Sequence, residues 1–406
     1  MSAEADRRMR EYARLTLEVG VNLQPGQRLA INALVEHHPF VRALAESAYE
    51  LGAGYVDVYY SDQSVRRAHI LHASDEELGW SPPWLVERAK AIATDGGALL
   101  SISGNPTPDI YADLDGGRIA RSQMRAVREA TLALTEGTCN WSIVAYPTEG
   151  WAQAVFGEPD LERLWEAVAT AVRLDDPDPV AAWRAHMAKL SDRANTIDAC
   201  RFDAIRYEGP GTELTVGLHP DSSWQAALDL SRGIQHVPNM PTEEVFTTPD
   251  ARRVEGTVRA TYPLALQGQI VRGLEVRFAG GRVEDLHADE GEELMRTLVG
   301  TDDGAGRLGE IALVDRESRV GKTGIVFYDT LFDENAASHI ALGAGIVQAV
   351  EVEGLSAEER HARGVNVSSI HTDFMIGSDE LAVSGVSADG AETPILRDGE
   401  WVLAGS

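Results

Sequence analysis

The chain has 406 residues, 44% hydrophobic and 25% charged, ordinary fractions for a globular protein. Its 64 acidic and 36 basic residues give a net charge of −28, which argues against a nucleic-acid-binding surface and against docking on anionic lipid. A chain this long buries roughly three quarters of its unfolded surface and needs no disulfide or structural metal merely to fold.

Ala3 to Val19 places Met9, Tyr12, Ala13, Leu15 and Leu17 among charged residues and reads as an amphipathic opening helix. Arg28 to Leu34 alternates like a strand. His38 to Leu51 has helical spacing and ends at Gly52 and Gly54, and Tyr55 to Tyr60 reads as a second strand. A helix at Pro82 to Ala93 leads to a third strand, Ala98 to Ser103. Strands alternating with helices predict an α/β first half with a largely parallel sheet. Leu161 to Val172 reads as a helix, Leu174 to Pro179 as a turn-rich break, and Val180 to Ala194 as another helix. The texture then changes. Phe202 to Gly217, Arg253 to Pro263, Gln269 to Phe278 and Val320 to Phe327 read as β-like runs between glycine turns. The expected organisation is an N-terminal α/β domain over 1–190 and a C-terminal mixed α+β domain over 191–406.

Several chemistries find no motif. No Gly-x-Gly-x-x-Gly lies between a strand and a helix, because Gly52 and Gly54 precede a strand. Gly321-Lys322-Thr323 lacks the earlier glycine of a phosphate loop, since Arg316 stands there. A Gly-x-Ser-x-Gly elbow and a His-Glu-x-x-His pair are absent. Cys139 and Cys200 show no paired spacing, so neither a disulfide framework nor a thiolate zinc site is expected. Met1 to Arg10 has no apolar core, and no apolar run approaches ~18 residues, so neither a secretory signal nor a membrane span is expected. The expected compartment is the cytoplasm.

Four stretches of the second half concentrate carboxylates and imidazoles. Asn239 to Pro249 sets Glu243 and Glu244 between two prolines, beside Val245 and Phe246. Gly309 to Leu313 opens an apolar run with Glu310. Phe332 to Gly343 places Asp333 and Glu334 just before an expected small-residue helix bearing His339. Ser369 to Gly377 holds His371-x-Asp373 in a strand-like run, where residues two apart share a face. An acid in an apolar strand is costly unless paired or metal-bound. Converging carboxylates repel, and a pair of divalent cations about 3.5–4 Å apart relieves that repulsion and forms a hydrolytic centre. Histidine and carboxylate without thiolate suit zinc, cobalt or manganese. Taken singly, each stretch also fits a structural role. Glu243 and Glu244 suit a solvated turn, and Glu310 an exposed strand end. His339 suits a core or capping histidine, and His371 with Asp373 an internal pair. The other nine histidines, His186 among them, stand mostly in polar contexts and read as surface or structural groups.

Together, Asn239 to Pro249, Gly309 to Val314, Thr330 to Gly343 and His371 to Gly377 resemble the signature segments of the M29 metallo-aminopeptidases, in that family's order. The resemblance extends through Tyr207 to Gly217 and Gly26 to Leu34, essentially the whole chain. It implies a dimetal site with Glu244, Glu310, Glu334, His339, His371 and Asp373 as ligands, and Glu310 as the bridge. Glu243 would be the general base or the acid that binds the substrate amine. It further implies a homodimer enclosing an interior space, substrates that are short peptides, and a metal-binding catalytic C-terminal domain. One position departs from the family. Seven residues after the helix histidine the family carries tyrosine, and here Ile346 follows His339 at that spacing. Isoleucine cannot donate a hydrogen bond to an oxyanion. The departure keeps two alternatives in view: a dimetal hydrolase of a non-peptide amide or other small amine-containing compound, and a non-catalytic metal-binding homologue.

Overall fold

The computed structural model describes residues 3–404 apart from 136, 267, 351, 353 and 354. It divides into two compact units. The first comprises Met1–Ala185, Leu228–Pro241 and Gln267–Gln269, and the second His186–Ala227, Thr242–Leu266 and Ile270–Ser406.

In the first unit, α1 (Ala3–Leu15) runs into a π-helical turn, Thr16–Gly20, covering the expected opening helix. Its Tyr12 is fully buried, stacks on Phe40 at 4.9 Å, and donates its hydroxyl to the Ala145 carbonyl. The strands β1 (Arg28–Leu34), β2 (Tyr55–Ser61), β3 (Ala98–Ser103) and β4 (Asn140–Ala145) pair in parallel in the order β2-β1-β3-β4. The short strand Asn239–Met240 adds to β4, also in parallel. Helix α2 (His38–Glu50) buries Phe40, Val41, Leu44, Ser47 and Ala48, the i, i+3, i+4 stripe that its sequence announces. Helices α3 (Pro83–Thr94) and α4 (Leu161–Ala171) lie where periodicity predicts them.

Helix α5 (Pro179–Cys200) leads into the second unit. There β5 (Ala204–Gly209), β6 (Thr212–Leu218), β7 (Glu244–Thr247), β8 (Pro249–Arg259), β9 (Leu264–Leu266), β10 (Glu275–Ala279), β11 (Arg282–His287), β12 (Leu308–Val314), β13 (His339–Gly343), β14 (His371–Met375), β15 (Ala382–Val386), β16 (Glu392–Arg397) and β17 (Glu400–Trp401) follow in turn. Eight of them form an antiparallel sheet in the order β11-β10-β8-β6-β5-β15-β16-β17. Four form a second antiparallel sheet, β7-β12-β13-β14. One apolar core joins Val254, Val276 and Val383 of the larger sheet to Val245, Ile311, Leu313, Ile340, Leu342 and Phe374 of the smaller. Leu190, Ala194 and Ile197 of α5 pack into it. The architecture is the expected one: a parallel α/β unit followed by a mixed α+β unit. No described helix is long and apolar enough to cross a membrane.

Two local expectations are corrected. Val320 to Phe327 is not a β-run. Ser318 caps a single helical turn, α6 (Arg319–Lys322), by accepting the Gly321 N–H, and Gly324 turns the chain at φ +63°. The cap and the left-handed glycine outweigh the β-branched residues between them. His339 does not ride on a small-residue helix. The helix there is the short α7 (Thr330–Asp333), and His339–Gly343 is a strand. Strand β13 is paired on both sides, so tertiary hydrogen bonding overrides the helical preference of Ala341 and Leu342.

Candidate metal centre

The four-stranded sheet has two unlike faces. In register, Glu244 pairs with Val314, Ala312 with His339, Glu310 with Ala341, Ala341 with Asp373, and Gly343 with His371. Because side chains alternate along a strand, these residues share one face. The intervening residues Val245, Ile311, Leu313, Ile340, Leu342 and Phe374 all enter the apolar core. Alanine and glycine at positions 312, 341 and 343 leave space between the acids and histidines of the first face. The register therefore brings Glu244, Glu310, His339, His371 and Asp373 together from four strands.

The ligand-type atoms form two triads, Glu244–Glu310–His339 and Glu310–His371–Asp373, each within 4.8 Å. Glu310 belongs to both. It is 4% exposed in the middle of a fully buried strand, not at an open strand end. His339 Nε2 is 3.0 Å from Glu244 Oε2, and His371 Nε2 is 3.0 Å from Glu310 Oε2 and 3.5 Å from Asp373 Oδ1. Each imidazole has its far nitrogen on a backbone carbonyl: His339 Nδ1 to Ala337 at 3.3 Å, His371 Nδ1 to Ala344 at 2.8 Å. With Nδ1–H donating outward, Nε2 is the atom that faces the carboxylates, the arrangement that orients metal-bound histidine. Ala344 is held close by Gly309, where a Cβ would meet the Ala344 carbonyl oxygen at 2.1 Å.

Glu334, at the end of α7, faces the same group. Burial first, then the charges of Asp373 and Glu244, push its carboxyl well above the usual carboxylate range. Burial likewise raises Glu310, against the opposing pull of His371. Burial works to lower His339, but the Glu244 carboxylate beside it, with Asp373 and Glu310, prevails and raises it to about 10. His371 is raised well above its ordinary value by Asp373 and Glu310, again against burial. Four carboxylates thus crowd two imidazoles in a desolvated place, and the raised values show the group relieving its own repulsion by holding protons. Asp373 Oδ1 and Glu244 Oε2 are buried and have no aligned hydrogen-bond donor, although histidine nitrogens lie near. Buried oxygens left this way cost free energy, and a divalent cation among them removes the cost. The residues present fit a metal centre.

Glu243 has different company. Adjacent residues of an extended chain point to opposite sides, and the pair divides accordingly. Its carboxylate accepts the Arg319 N–H at 3.3 Å and lies 3.5 Å from His186 Nε2, and its own N–H donates to Asn335 Oδ1. His186 also meets the Thr242 carbonyl at 2.8 Å. Neither His186 nor Asn335 was singled out in the sequence as a partner of Glu243. His186 lies on α5, and no local motif announces its approach to a residue 57 positions on. Ile346 has its backbone bound twice to Thr248, whose Oγ1 accepts the Ile346 N–H and donates to its carbonyl, both at 2.9 Å.

The comparisons agree with this chemistry. A family model described as thermophilic metalloprotease (M29) matches residues 5–401. Aminopeptidase T of Thermus aquaticus is 45% identical over 97% of this chain and 98% of its own. Aminopeptidase 2 of Geobacillus stearothermophilus is 40% identical over 98% of each chain. A solved structure of wild-type AmpT from Thermus thermophilus superposes with a TM-score of 0.90 at 42% identity, covering 98% of this chain and 99% of that one. A metal-ready face built by strand register, and relatives alike from end to end, lead to one conclusion: this chain belongs to the M29 family of metalloproteases.

Proposed function

We propose that this chain, a metal-dependent aminopeptidase, works through two divalent cations held by Glu244, Glu310, Glu334, His339, His371 and Asp373, and releases N-terminal residues from short peptides. The observation that carries the two-cation reading is the sharing of Glu310 between two ligand triads. Charge supports it, since four carboxylates with neutral imidazoles balance two divalent cations. Zinc, cobalt and manganese all suit this donor set. When bound, the pair polarises a carbonyl and lowers the pKa of a water. The chain's own residues do the rest. The Ala337 and Ala344 carbonyls hold both imidazoles in one tautomer. The apolar back of the sheet keeps bulk water from the carboxylates. Glu243 accepts the proton of the attacking water, or holds the substrate's α-ammonium and so limits cleavage to the first residue. Aminopeptidase relatives matching the whole chain favour a peptide over a non-peptide amide. The reading includes a homodimer, as the family resemblance implies, and the cytoplasmic location expected from the sequence.

The test is to assay metal-stripped protein on dipeptides and aminoacyl anilides before and after adding zinc, cobalt or manganese, counting bound metal by elemental analysis. Two ions per chain and restored release, both lost in His371→Ala, are expected. Turnover by fully stripped protein would overturn the reading.

A further inference from the structure

Of the five clustered strand ligands, four side chains are between 2 and 11% exposed, whereas His371 is 32% exposed. A substrate approaching the cluster from solvent therefore meets His371. Strand β14, which carries His371, is the edge of its sheet. Beside that edge runs the segment Thr261 to Leu266. It is tied down by Thr261, whose N–H donates to the Met375 carbonyl at 2.8 Å and whose hydroxyl donates to the Gly377 carbonyl at 2.8 Å. Between the segment and β14 lies a cavity of about 70 Å³ whose wall includes His371 and Asp373 together with Leu264, Ala265, Leu266 and Met375. Asp333 also lines it, but its carboxylate accepts the N–H groups of Phe327 at 2.7 Å and Asp329 at 3.3 Å. Pro263, Thr330 and Thr372 complete the lining, and hydrocarbon makes up the larger part of the wall.

We propose that this cavity receives the side chain of the residue being released, with Leu264–Leu266 and Met375 as the wall that sets its size. The assignment rests on the aminopeptidase reading. An exopeptidase holds the first carbonyl at its metal centre, and the first side chain branches one bond from that carbonyl, so its pocket must adjoin the ligands. This cavity shares two of them. An apolar cavity of about 150 Å³ is known to hold benzene. A space half that size favours short aliphatic side chains, alanine to valine, over phenylalanine. Its wall of anchored strand makes it a preformed apolar pocket of the kind that discriminates by methylene count, at about 10–200-fold per group.

Two opposed variants test it. Ala265→Leu fills the cavity and Leu266→Ala enlarges it; neither residue is a proposed ligand. With metal-loaded protein, kcat/KM is measured for alanyl, valyl and phenylalanyl anilides. The valine-to-alanine ratio should fall at least about tenfold in Ala265→Leu, and the phenylalanine-to-valine ratio should rise at least about tenfold in Leu266→Ala. Calorimetric binding of free L-valine and L-phenylalanine should follow the same order without any turnover. Active variants whose ratios match the wild type would overturn the pocket and leave the aminopeptidase reading standing. A wild type that cleaves no peptide would overturn that reading, and the amino-acid binding order would still decide the pocket: equal binding in all three proteins refutes it.

Discussion

Glu310 and Asp315 lie five residues apart along one stretch of chain, both about 4% exposed, and they are provided for differently. Asp315 is paired with the Arg193 guanidinium, with Lys189 Nζ 3.7 Å away. Its charge is answered by cations that belong to the fold. Among the described residues, no arginine or lysine is ion-paired with Glu310. It faces two histidines and three more carboxylates. A buried acid with its own guanidinium is a structural element. A buried set of acids that outnumbers its imidazoles is a place suited to a cation that is not part of the chain.

That contrast can be broken in several ways. The largest effect is expected from Glu310→Gln, which removes the group shared by both triads. Activity should drop by at least about 10³-fold, the scale of losing a central catalytic group, and elemental analysis should find metal depleted. Asp315→Asn should keep its metal. Chelation comes next. Ligands that bind only the folded state at 1,000 times Kd stabilise it by about 4 kcal/mol. Stripping metal should therefore lower Tm clearly, and calorimetry of the apo and reloaded protein checks it. Arg193→Met leaves Asp315 with Lys189 as its one paired cation, beside the Glu317 N–H that it accepts. Breaking a buried pair costs about 3–5 kcal/mol, and the remaining lysine should keep the loss near about 3 kcal/mol, read from urea unfolding with metal stoichiometry unchanged. Loss of metal in this variant would show that the two acids are not separate. Gly309→Ala sharpens the contrast from the backbone. Its Cβ displaces the Ala344 carbonyl that orients His371, and such outer partners are worth about 10–100-fold in metal affinity, measurable by competition with a chelating dye. Ile346→Tyr is the smallest change. The family resemblance implies a tyrosine at this position, and its hydroxyl should raise kcat by about tenfold or less, since a donor not shaped into the site falls short of the usual 10²–10³, with KM unmoved.

Much of this was legible in the chain itself. The opening helix, the alternating β and α elements of the first half and the four carboxylate-rich segments stand at the places that spacing and composition indicate, because amphipathic periodicity is local information. His371 and Asp373 on one strand face follow from two-residue alternation alone. The strand at His339 was not legible. The small residues of the run, Ala336, Ala337 and Ala341, read as helix, and only the hydrogen bonds supplied by β12 and β14 make residues 339–343 a strand. The burial of Glu310 was hidden for the same reason, since its solvent exposure depends on neighbours more than 20 residues distant.

The amino-acid sequence by itself determined which residue types are gathered in the four segments and the family they belong to. The tertiary structure alone decided which acids meet. Register across four strands puts Glu244, Glu310, His339, His371 and Asp373 on one face, and the adjacent residues Glu243 and Glu244 among different partners. It also aims each imidazole through a backbone carbonyl and sets a small apolar cavity beside His371. The physical reason is that strand pairing is a long-range interaction: the pattern of a strand says that its side chains alternate, and only its partners say which side is buried, at what register, and against what.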